Sequence, residues 1–178
     1  MLKKIAREAL VWLVWLAVGA SLSFLLSNFV IVNAHVITAS MENTIMTENR
    51  VVGLRFLFGE PRRGCIIVFN SPLPDEFTEP FIKRVIGLPG EVVAVTDGVV
   101  YIDGMPLIES YVTSPMRRDF APVTVPDNHL FVMGDNRNIS RDSRHFGPIP
   151  RADVIARIYF GFSPAPEILA NYTYNTNY

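Results

Sequence analysis

One long apolar segment precedes a series of short apolar runs along the chain. Residues 9–32 comprise 24 positions without a charged side chain. About 20 helical residues cross the hydrocarbon core of a bilayer, so this segment predicts a transmembrane helix. Its apolar character continues past Val18-Gly19-Ala20, a weak match to a signal-peptide cleavage site. We therefore expect a retained anchor, with a removable signal peptide as the alternative.

Charge at the two ends of this segment predicts its orientation. Lys3, Lys4 and Arg7 precede it, and Arg50 is the first lysine or arginine after it. Basic residues favour the cytoplasmic side of a membrane. We expect residues 1–8 in the cytoplasm, the anchor at 9–32 and one extracytoplasmic domain at 33–178.

Short Val- and Ile-rich runs separated by proline and glycine predict that this domain is mainly β. Asp97-Gly98 and Asp103-Gly104 are strong hairpin signals. The proline-rich segment 111–125 and the polar tail after residue 163 are expected to be irregular. The apolar runs lie at 51–58, 65–69, 81–86, 92–95, 99–102, 128–133 and 151–162. We expect these short strands to form a barrel-like or sandwich-like core.

Composition excludes several kinds of partner. The formal net charge is -1, and no dense basic run is present, so we expect no nucleic-acid partner. Cys65 is the only cysteine, which excludes an internal disulfide. Three scattered histidines without an HExxH or CxxC motif predict neither a metal nor another cofactor. The pattern does not indicate an oligomeric state.

The trio Phe56-Leu57-Phe58 lies between Arg55 and Gly59 and has two interpretations. The three side chains alternate into the core, or they form an exposed apolar loop that contacts the bilayer beside the anchor. Both interpretations remain open at the level of sequence.

The run 81–86 places one cation on each of its faces. A period of two puts Lys83 on one face with Phe81 and Val85, and Arg84 on the other. At least one cation must then lie among hydrophobic side chains. Arginine keeps its proton, whereas burial lowers the pKa of lysine by as much as about 3–5 units. Lys83 is therefore a candidate general base; the structural alternative is a snorkelling or ion-paired lysine.

Ser40 lies a few residues beyond the apolar segment and is the candidate nucleophile. A hydroxyl nucleophile needs a base for its proton and hydrogen-bond donors for the oxyanion. Serine with a lysine base is a known variant of serine and histidine chemistry. We predict that Lys83 serves Ser40, and that the Ser40 N–H and the Thr38 hydroxyl hold the oxyanion. A histidine base, with His145 the candidate in a polar context, is the alternative.

The segment 134–147 is dense in polar side chains directly after an apolar strand. It is a solvated loop with local side-chain to backbone bonds, or it supports the base. In the second interpretation Asp142 and Arg144 form a pair that braces the loop, and the Ser140 hydroxyl orients the lysine amine.

Four segments, in order along the chain, carry a family resemblance. They are Ser40-Met41-Glu42-Asn43-Thr44-Ile45, Arg63-Gly64-Cys65-Ile66-Ile67-Val68-Phe69, Lys83-Arg84-Val85-Ile86-Gly87-Leu88-Pro89-Gly90-Glu91, and residues 134–144. Together they resemble the type I signal peptidases, membrane-anchored serine proteases that remove signal peptides from exported proteins. The resemblance implies a mainly β catalytic domain outside the cytoplasmic membrane that needs no metal or cofactor. It implies the roles already given to Ser40, Lys83, Thr38, Ser140, Asp142 and Arg144.

The same resemblance implies the substrate and leaves two alternatives. The end of a signal peptide is expected to bind as an extended strand, with small side chains at the last and third-last residues before the cut. A self-cleaving serine and lysine protease would need a DNA-binding module where this chain has an apolar segment. A tethered β-domain that only binds an extracytoplasmic partner would not need Ser40 or Lys83.

Two positions depart from the family pattern. The family usually has proline where this chain has Asn43, so we expect a less preorganised turn after the nucleophile. Cys65 replaces an acidic residue of the family in the second of these four segments and leaves a lone thiol of no assigned role. A poorly active or narrowly specific paralogue is the corresponding alternative.

Overall fold

An apolar helix leads directly into the first strand of a sheet. The computed structural model describes residues 2–55, 59–163 and 165–168. Helix α1 (Leu2–Leu25) continues through a π-helical turn (Leu26–Val30) into β1 (Ile31–His35). In the described part of the chain, Lys4–Val30 is the one helical stretch long and apolar enough to cross a membrane. The helix thus begins before the predicted segment and ends before its last two residues.

The larger sheet contains eight strands in the described residues and is antiparallel throughout. Its order is β1-β2-β11-β3-β4-β9-β10, and β12 pairs with β11. The strands after β1 are β2 (Arg50–Arg55), β3 (Ile66–Phe69), β4 (Phe81–Gly87), β9 (His129–Met133), β10 (Ile149–Pro150), β11 (Val154–Ser163) and β12 (Ala165–Ile168). Strand β4 therefore lies between β3 and β9 in the interior of the sheet.

A smaller antiparallel sheet has four strands in the described residues, in the order β7-β6-β5-β8. They are β5 (Val92–Thr96), β6 (Val99–Ile102), β7 (Met105–Pro106) and β8 (Phe120–Thr124). The two Asp-Gly turns adopt positive φ at both residues, as the hairpin signal requires. The prediction of a mainly β fold is confirmed, with β5, β6 and β7 as the predicted meander.

Three hydrophobic clusters bury both faces of the larger sheet. One lies between the two sheets and joins Ile86 and Phe131 to Val93 and Val100. A second packs Met41 and Ile45, which follow Ser40, against the face formed by β2, β3 and β11. The third covers the opposite face around Cys65, Phe69, Val85, Leu130 and Ile149. The segment that carries Ser40 is thus fixed by core packing.

The sequence did not predict strands β1, β8, β10 and β12, nor one short helix. Strand β8 lies inside the segment predicted to be irregular, and Pro122 is tolerated there because β8 pairs with a neighbour on one side only. Strand β12 lies in the predicted polar tail. Helix α2 (Ser143–Phe146) has Asp142 as its N-cap, and the Asp142 carboxylate accepts the Arg144 N–H. The trio Phe56-Leu57-Phe58 lies outside the described residues.

Candidate active site

Ser40 lies in a 3₁₀ turn (Ala39–Met41) between β1 and β2, and its position is fixed from two sides. The side chain of Met41 is buried in the core beneath the turn. The Ser40 carbonyl accepts the Asn136 N–H at 3.1 Å. This bond joins the turn to the loop that follows β9, where the predicted polar block begins. Ser40 itself is 8% exposed, so its hydroxyl is held in place and still reachable.

Lys83 lies in the middle of β4 and directs its amine at Ser40. Lys83 Nζ donates to Ser40 Oγ at 2.7 Å and to the Ile82 carbonyl at 2.9 Å. The amine also lies 5.2 Å from the ring centre of Phe81, on the face that the strand period predicts. The structure therefore brings the predicted nucleophile and the predicted base into direct contact.

Burial changes the protonation of Lys83. The side chain is 4% exposed, and desolvation lowers the pKa of its amine from 10.5 to about 8, against the opposing attraction of Asp142 and Asp135. A lysine with this pKa is neutral in a substantial fraction of molecules at neutral to mildly alkaline pH. It can then accept a proton from the serine hydroxyl that it contacts.

The other two hydroxyl groups predicted to act with the pair lie beside it in different ways. Thr38 Oγ1 is 3.2 Å from Ser40 Oγ, so the two hydroxyls share a hydrogen bond. Ser140 is buried, but its hydroxyl has no hydrogen-bond partner in the described part of the chain. The predicted hydrogen bond from Ser140 to the Lys83 amine is thus not formed. Ser140 instead packs on Gly134, where an added Cβ would lie 2.2 Å from Ser140 Oγ and 2.4 Å from the Ser40 carbonyl oxygen.

Asp142 and Arg144 form the predicted pair. Arg144 Nε and Nη2 donate to the two carboxylate oxygens of Asp142 at 2.9 and 2.8 Å. The same carboxylate accepts the Gly134 N–H at 3.0 Å. Burial opposes ionisation of Asp142, but Arg144, the Gly134 N–H and the nearby Ser140 hydroxyl outweigh it and lower the pKa of the carboxyl. Arg144 also donates to the Arg137 carbonyl at 2.7 Å, so the pair holds the loop closed.

A second, fully buried pair lies behind Lys83 and was missed at the level of sequence. Arg84 donates to Asp135 through Nε at 2.9 Å and through Nη2 at 2.6 Å, and neither side chain is exposed. Arg84 also donates to the Gly64 carbonyl, and Thr44 donates to Asp135. The sequence did contain a signal for this pair, because the run 81–86 has one cation on each of its faces. If both cations are buried, the second requires a buried acid as its partner. These bonds join β4, the loop after β9 and the turn after Ser40.

A strap between β7 and β8 covers this buried pair. The ring of Tyr111 lies 4.0 Å from the guanidinium carbon of Arg84. Glu109 accepts two hydrogen bonds from Arg137, at 2.6 and 2.5 Å. Burial opposes the charge of Arg137, but Glu109 outweighs it and raises the pKa of the guanidinium. Nothing in the sequence pattern pointed to either residue: Tyr111 begins the segment predicted to be irregular, and Glu109 lies just before it.

Asn43, where the family usually has proline, occupies a turn that proline cannot adopt. Its φ is +87°, and the Thr44 N–H donates to the Met41 carbonyl at 3.1 Å. Proline is restricted to φ near −65°, whereas asparagine tolerates positive φ. The turn after Ser40 is therefore a different turn, closed by its own hydrogen bond. The expected loss of preorganisation stays a prediction.

Histidine and cysteine do not reach the hydroxyl of Ser40. Its hydrogen bonds in the described residues are with Thr38 and Lys83. His35 lies at the same cleft, but its ring faces the Glu48 carboxylate at 3.3 Å. His145 lines a different cavity. Cys65 is buried among hydrophobic side chains. The serine and histidine alternative therefore has no geometric support.

A cleft of about 390 Å³ opens over Ser40 and Lys83. Residues 35–41 form one wall, residues 76–83 form the other, and Ile139 and Arg141 close one side. Strand β4 pairs with β9 only from Arg84 onward. Residues 81–83 therefore have a free edge on that side, and they line this cleft.

Comparisons with known proteins agree with this arrangement. The family model described as "Signal peptidase, peptidase S26" matches residues 8–162. The chain belongs to this signal peptidase family. A protein named probable signal peptidase I-2 from Synechocystis sp. is 36% identical over 165 residues, which cover 86% of this chain and 76% of that protein. Signal peptidase I of Leptolyngbya laminosa is 40% identical, with 79% and 72% covered.

A solved member of the signal peptidase family has the same fold. The crystal structure of a signal peptidase I from Enterococcus faecalis V583 is 36% identical, with a TM-score of 0.50 over 56% of this chain and 97% of that chain. The resemblance to type I signal peptidases is therefore confirmed, as is the prediction of a peptidase. The roles of the individual site residues are a separate question.

Proposed function

We propose that this signal peptidase cuts signal peptides from exported preproteins with Ser40 as nucleophile and Lys83 as general base. The observation that carries the proposal is the 2.7 Å contact from Lys83 Nζ to Ser40 Oγ, with an amine whose pKa is lowered to about 8 by burial. Family membership supplies the reaction class, and the contact supplies the two reacting groups.

The proposed reaction has two halves that share one base. Neutral Lys83 takes the proton of Ser40 as Oγ attacks the carbonyl carbon of the scissile bond. The tetrahedral intermediate collapses, the C–N bond breaks, and the lysine proton passes to the leaving amine. Lys83, neutral again, takes a proton from water, and the hydroxide formed attacks the ester. Ser40 recovers its proton when the acyl group leaves, which restores the starting state.

Thr38 and Ser140 have supporting roles in this proposal. Thr38 Oγ1, 3.2 Å from Ser40 Oγ, stands where a hydroxyl can donate to a developing oxyanion together with the Ser40 N–H. The Ser140 hydroxyl is buried beside Asp142 without a hydrogen-bond partner among the described residues. We propose that this hydroxyl turns to bond the Lys83 amine once the proton is transferred. Both are positioning or stabilising groups, so their removal should lower kcat more than it changes KM.

The substrate is proposed to bind as an extended strand in the cleft. The walls at 35–41 and 76–83 offer backbone groups on both sides, as strand addition requires. Small side chains before the cut would suit a cleft closed below by Ile82 and Met41. Confinement of enzyme and substrate to one membrane supplies proximity.

The anchor is proposed to place residues 1–8 in the cytoplasm and the domain from residue 33 outside. Lysine and arginine before the helix support this orientation. Because Cys65 is buried, new cysteines can be labelled with little background. In intact cells, a membrane-impermeant maleimide should label Ser114→Cys in the exposed strap and leave Lys4→Cys unlabelled. The reverse labelling pattern would overturn the orientation.

Cleavage of a preprotein by full-length protein in detergent tests the mechanism. Ser40→Ala and Lys83→Ala should each lower cleavage by at least about 10³-fold, on the scale of losses seen when a nucleophile or its base is removed. A burst of acyl-enzyme should disappear in both. Ser114→Ala, an exposed serine of the strap, is the matched control and should cleave normally. Near-normal cleavage by either site variant would overturn the roles proposed for Ser40 and Lys83, whereas no cleavage by the unaltered protein would favour a domain that only binds.

A further inference from the structure

A second cavity, of about 500 Å³, adjoins the catalytic cleft and is lined by cations. Ile139 and Arg141 line both cavities and form the ridge between them. The residues that line the second cavity include no carboxylate in the described part of the chain. Its five arginines are Arg117, Arg118, Arg137, Arg141 and Arg144. We call this cavity the arginine pocket.

Two of the five guanidinium groups carry charge that no carboxylate neutralises. Three are paired, as Arg137 with Glu109, Arg144 with Asp142 and Arg141 with Glu76. Arg117 and Arg118 are exposed and form no ion pair with any described residue. The neighbouring Asp119 carboxylate accepts the Asp97 N–H at 3.1 Å, on the β5–β6 hairpin. The pocket therefore has a net positive potential.

The two unpaired arginines belong to a loop that is fastened to the active-site loop. The Arg117 N–H donates to Asn138 Oδ1 at 3.0 Å, and Asn138 Nδ2 donates to the Pro115 carbonyl at 3.0 Å. Asn138 lies two residues after Asn136, whose N–H binds the Ser40 carbonyl. These hydrogen bonds hold the backbone of the loop that carries the two arginines at a fixed position relative to Ser40.

The path of a bound preprotein leads towards this pocket. The apolar part of a signal peptide stays in the bilayer with the anchor, so the segment before the cut enters from the side of β1. The segment after the cut must leave beyond Ser40. Ile139 and Arg141 line both the cleft and the arginine pocket, so a segment that leaves the cleft over this ridge reaches the pocket.

We propose that the arginine pocket binds carboxylates in the first few residues after the cut, so that the enzyme favours preproteins whose mature segment begins with acidic residues. This inference rests on the proposed function. A cavity lined by one sign of charge attracts a charged segment and is sensitive to salt. Exposed ion pairs are individually weak, so two of them should favour an acidic over a neutral substrate by about threefold to tenfold.

Two peptide substrates, identical up to the scissile bond, provide the test. One has Glu at the second and third positions after the cut and the other has Gln. For the full-length protein in zwitterionic detergent at low salt, the ratio of kcat/KM for the acidic to the neutral peptide should be about 3 to 10. In R117E/R118E this ratio should fall to one or below. In 0.5 M NaCl the ratio of the unaltered protein should approach one.

A matched charge reversal separates local from general effects. R55E/R62E changes two exposed arginines that lie at a different cavity and should keep the preference of the unaltered protein. Equal ratios in the unaltered protein and in R117E/R118E would overturn the inference, as would a ratio near one in the unaltered protein. If thermal unfolding shows that R117E/R118E is misfolded, the single variants R117Q and R118Q replace it.

Two further outcomes have distinct meanings. Vesicles containing phosphatidylglycerol test whether the pocket faces lipid headgroups instead. If they remove the difference in kcat/KM between R117E/R118E and the unaltered protein, and do so equally for both peptides, the pocket faces lipid headgroups and the inference fails. If neither peptide is cut while a Ser40-directed acylating agent also fails to react, the proposed function fails and takes the inference with it. Cleavage of both peptides at equal rates leaves the proposed function intact.

Discussion

The amine of Lys83 lies 2.7 Å from the hydroxyl of Ser40, although 43 positions separate the two residues in sequence. The contact forms because Met41 anchors the turn after β1 in the core, while the pairing of β4 with β3 and β9 fixes Lys83. Nearly all of the amine's surroundings are protein, so its proton affinity is set by burial. The predictions below concern the consequences of that burial and of the groups that hold the contact.

The activity should rise with pH through the pKa of Lys83. The base must be neutral to accept the serine proton, and its pKa is about 8. A plot of kcat/KM against pH for a peptide substrate should therefore show an ascending limb near pH 8, well below 10.5. Lys83→Arg should be inactive across the range because guanidinium keeps its proton. A limb that stays near 10.5 would contradict a desolvated base.

Neutralising Asp142 should move that limb to lower pH. The Asp142 carboxylate attracts the ammonium form of Lys83 and raises its pKa against the effect of burial. In Asp142→Asn the attraction is lost and Arg144 is left unpaired, and both changes favour neutral lysine. The maximal rate should fall as well, because the loop loses its brace. A purely structural role would lower the rate without displacing the limb, so the pH profile distinguishes the two.

Replacing Lys83 with methionine should stabilise the fold at neutral pH. Below about pH 8 the lysine is protonated in both states, so the folded state bears the full desolvation penalty. Between about 8 and 10.5 the folded lysine is neutral while the unfolded one keeps its proton, so stability rises with pH across this window. The difference of about 2.5 pKa units corresponds to roughly 3 kcal/mol.

Thermal unfolding in detergent measures this effect. Lys83→Met should unfold at a higher temperature than the unaltered protein at pH 7, and the two should converge above pH 10.5. Lys4→Met, an exposed lysine near the start of α1, is the matched control and should show no such dependence. A destabilised Lys83→Met at pH 7 would mean that the amine gains more from its hydrogen bonds than it loses by burial.

Breaking the buried Arg84–Asp135 pair from one side should be costly. Both side chains are fully buried, so removal of one leaves an uncompensated charge, with an expected loss of about 3–5 kcal/mol. Arg84→Met with Asp135→Leu should lose much less than the sum of the single variants. Chemical denaturation of the four proteins in a double-mutant cycle gives the coupling. Additive losses would show that the pair has no specific interaction.

The turn at Asn43 should accept glycine and reject proline. At φ +87° glycine is unstrained, so Asn43→Gly should leave the unfolding free energy within about 1 kcal/mol. Asn43→Pro cannot adopt this φ and should displace the Ser40 turn, with a loss of both stability and kcat. Asn43→Ala should lie between them. Peptide cleavage and thermal unfolding of the three variants test the order; activity retained in Asn43→Pro would mean that the turn can change its geometry freely.

Local patterns were sufficient for much of the fold. The apolar runs at 65–69 and 81–86 became β3 and β4, and the Asp-Gly pairs became the turns of the meander. Strand β8 was missed because Pro122 and neighbouring polar residues mask a strand that needs only one partner. Strand β1 was missed because Ile31 and Val32 continue the apolar run of the anchor, and hydropathy does not mark where helix gives way to strand.

The sequence singled out candidate site residues where chemistry limits the choices, and it did not indicate contacts between distant residues. A lysine among hydrophobic residues must lower its pKa or find a partner, which was enough to single out Lys83. Several acidic residues could have been the partner that Arg84 requires. The pairing of strands, and not the spacing along the sequence, brings Asp135 to Arg84. Glu109 and Tyr111 lie in an irregular strap whose position depends on the whole fold. The expected Ser140 hydrogen bond to Lys83 is not formed, because sequence spacing does not determine the direction of a serine hydroxyl.

The anchor and the sheet are joined without a flexible linker, and this limits the reach of the enzyme. The span ends at Val30, and only nine residues separate it from Ser40. Even a fully extended chain of ten steps reaches about 33 Å. In the proposed function, Ser40 therefore acts within this distance of the end of the span and cannot follow a substrate into solution. A preprotein whose bond lies farther from the bilayer than this would pass uncut, whatever its sequence.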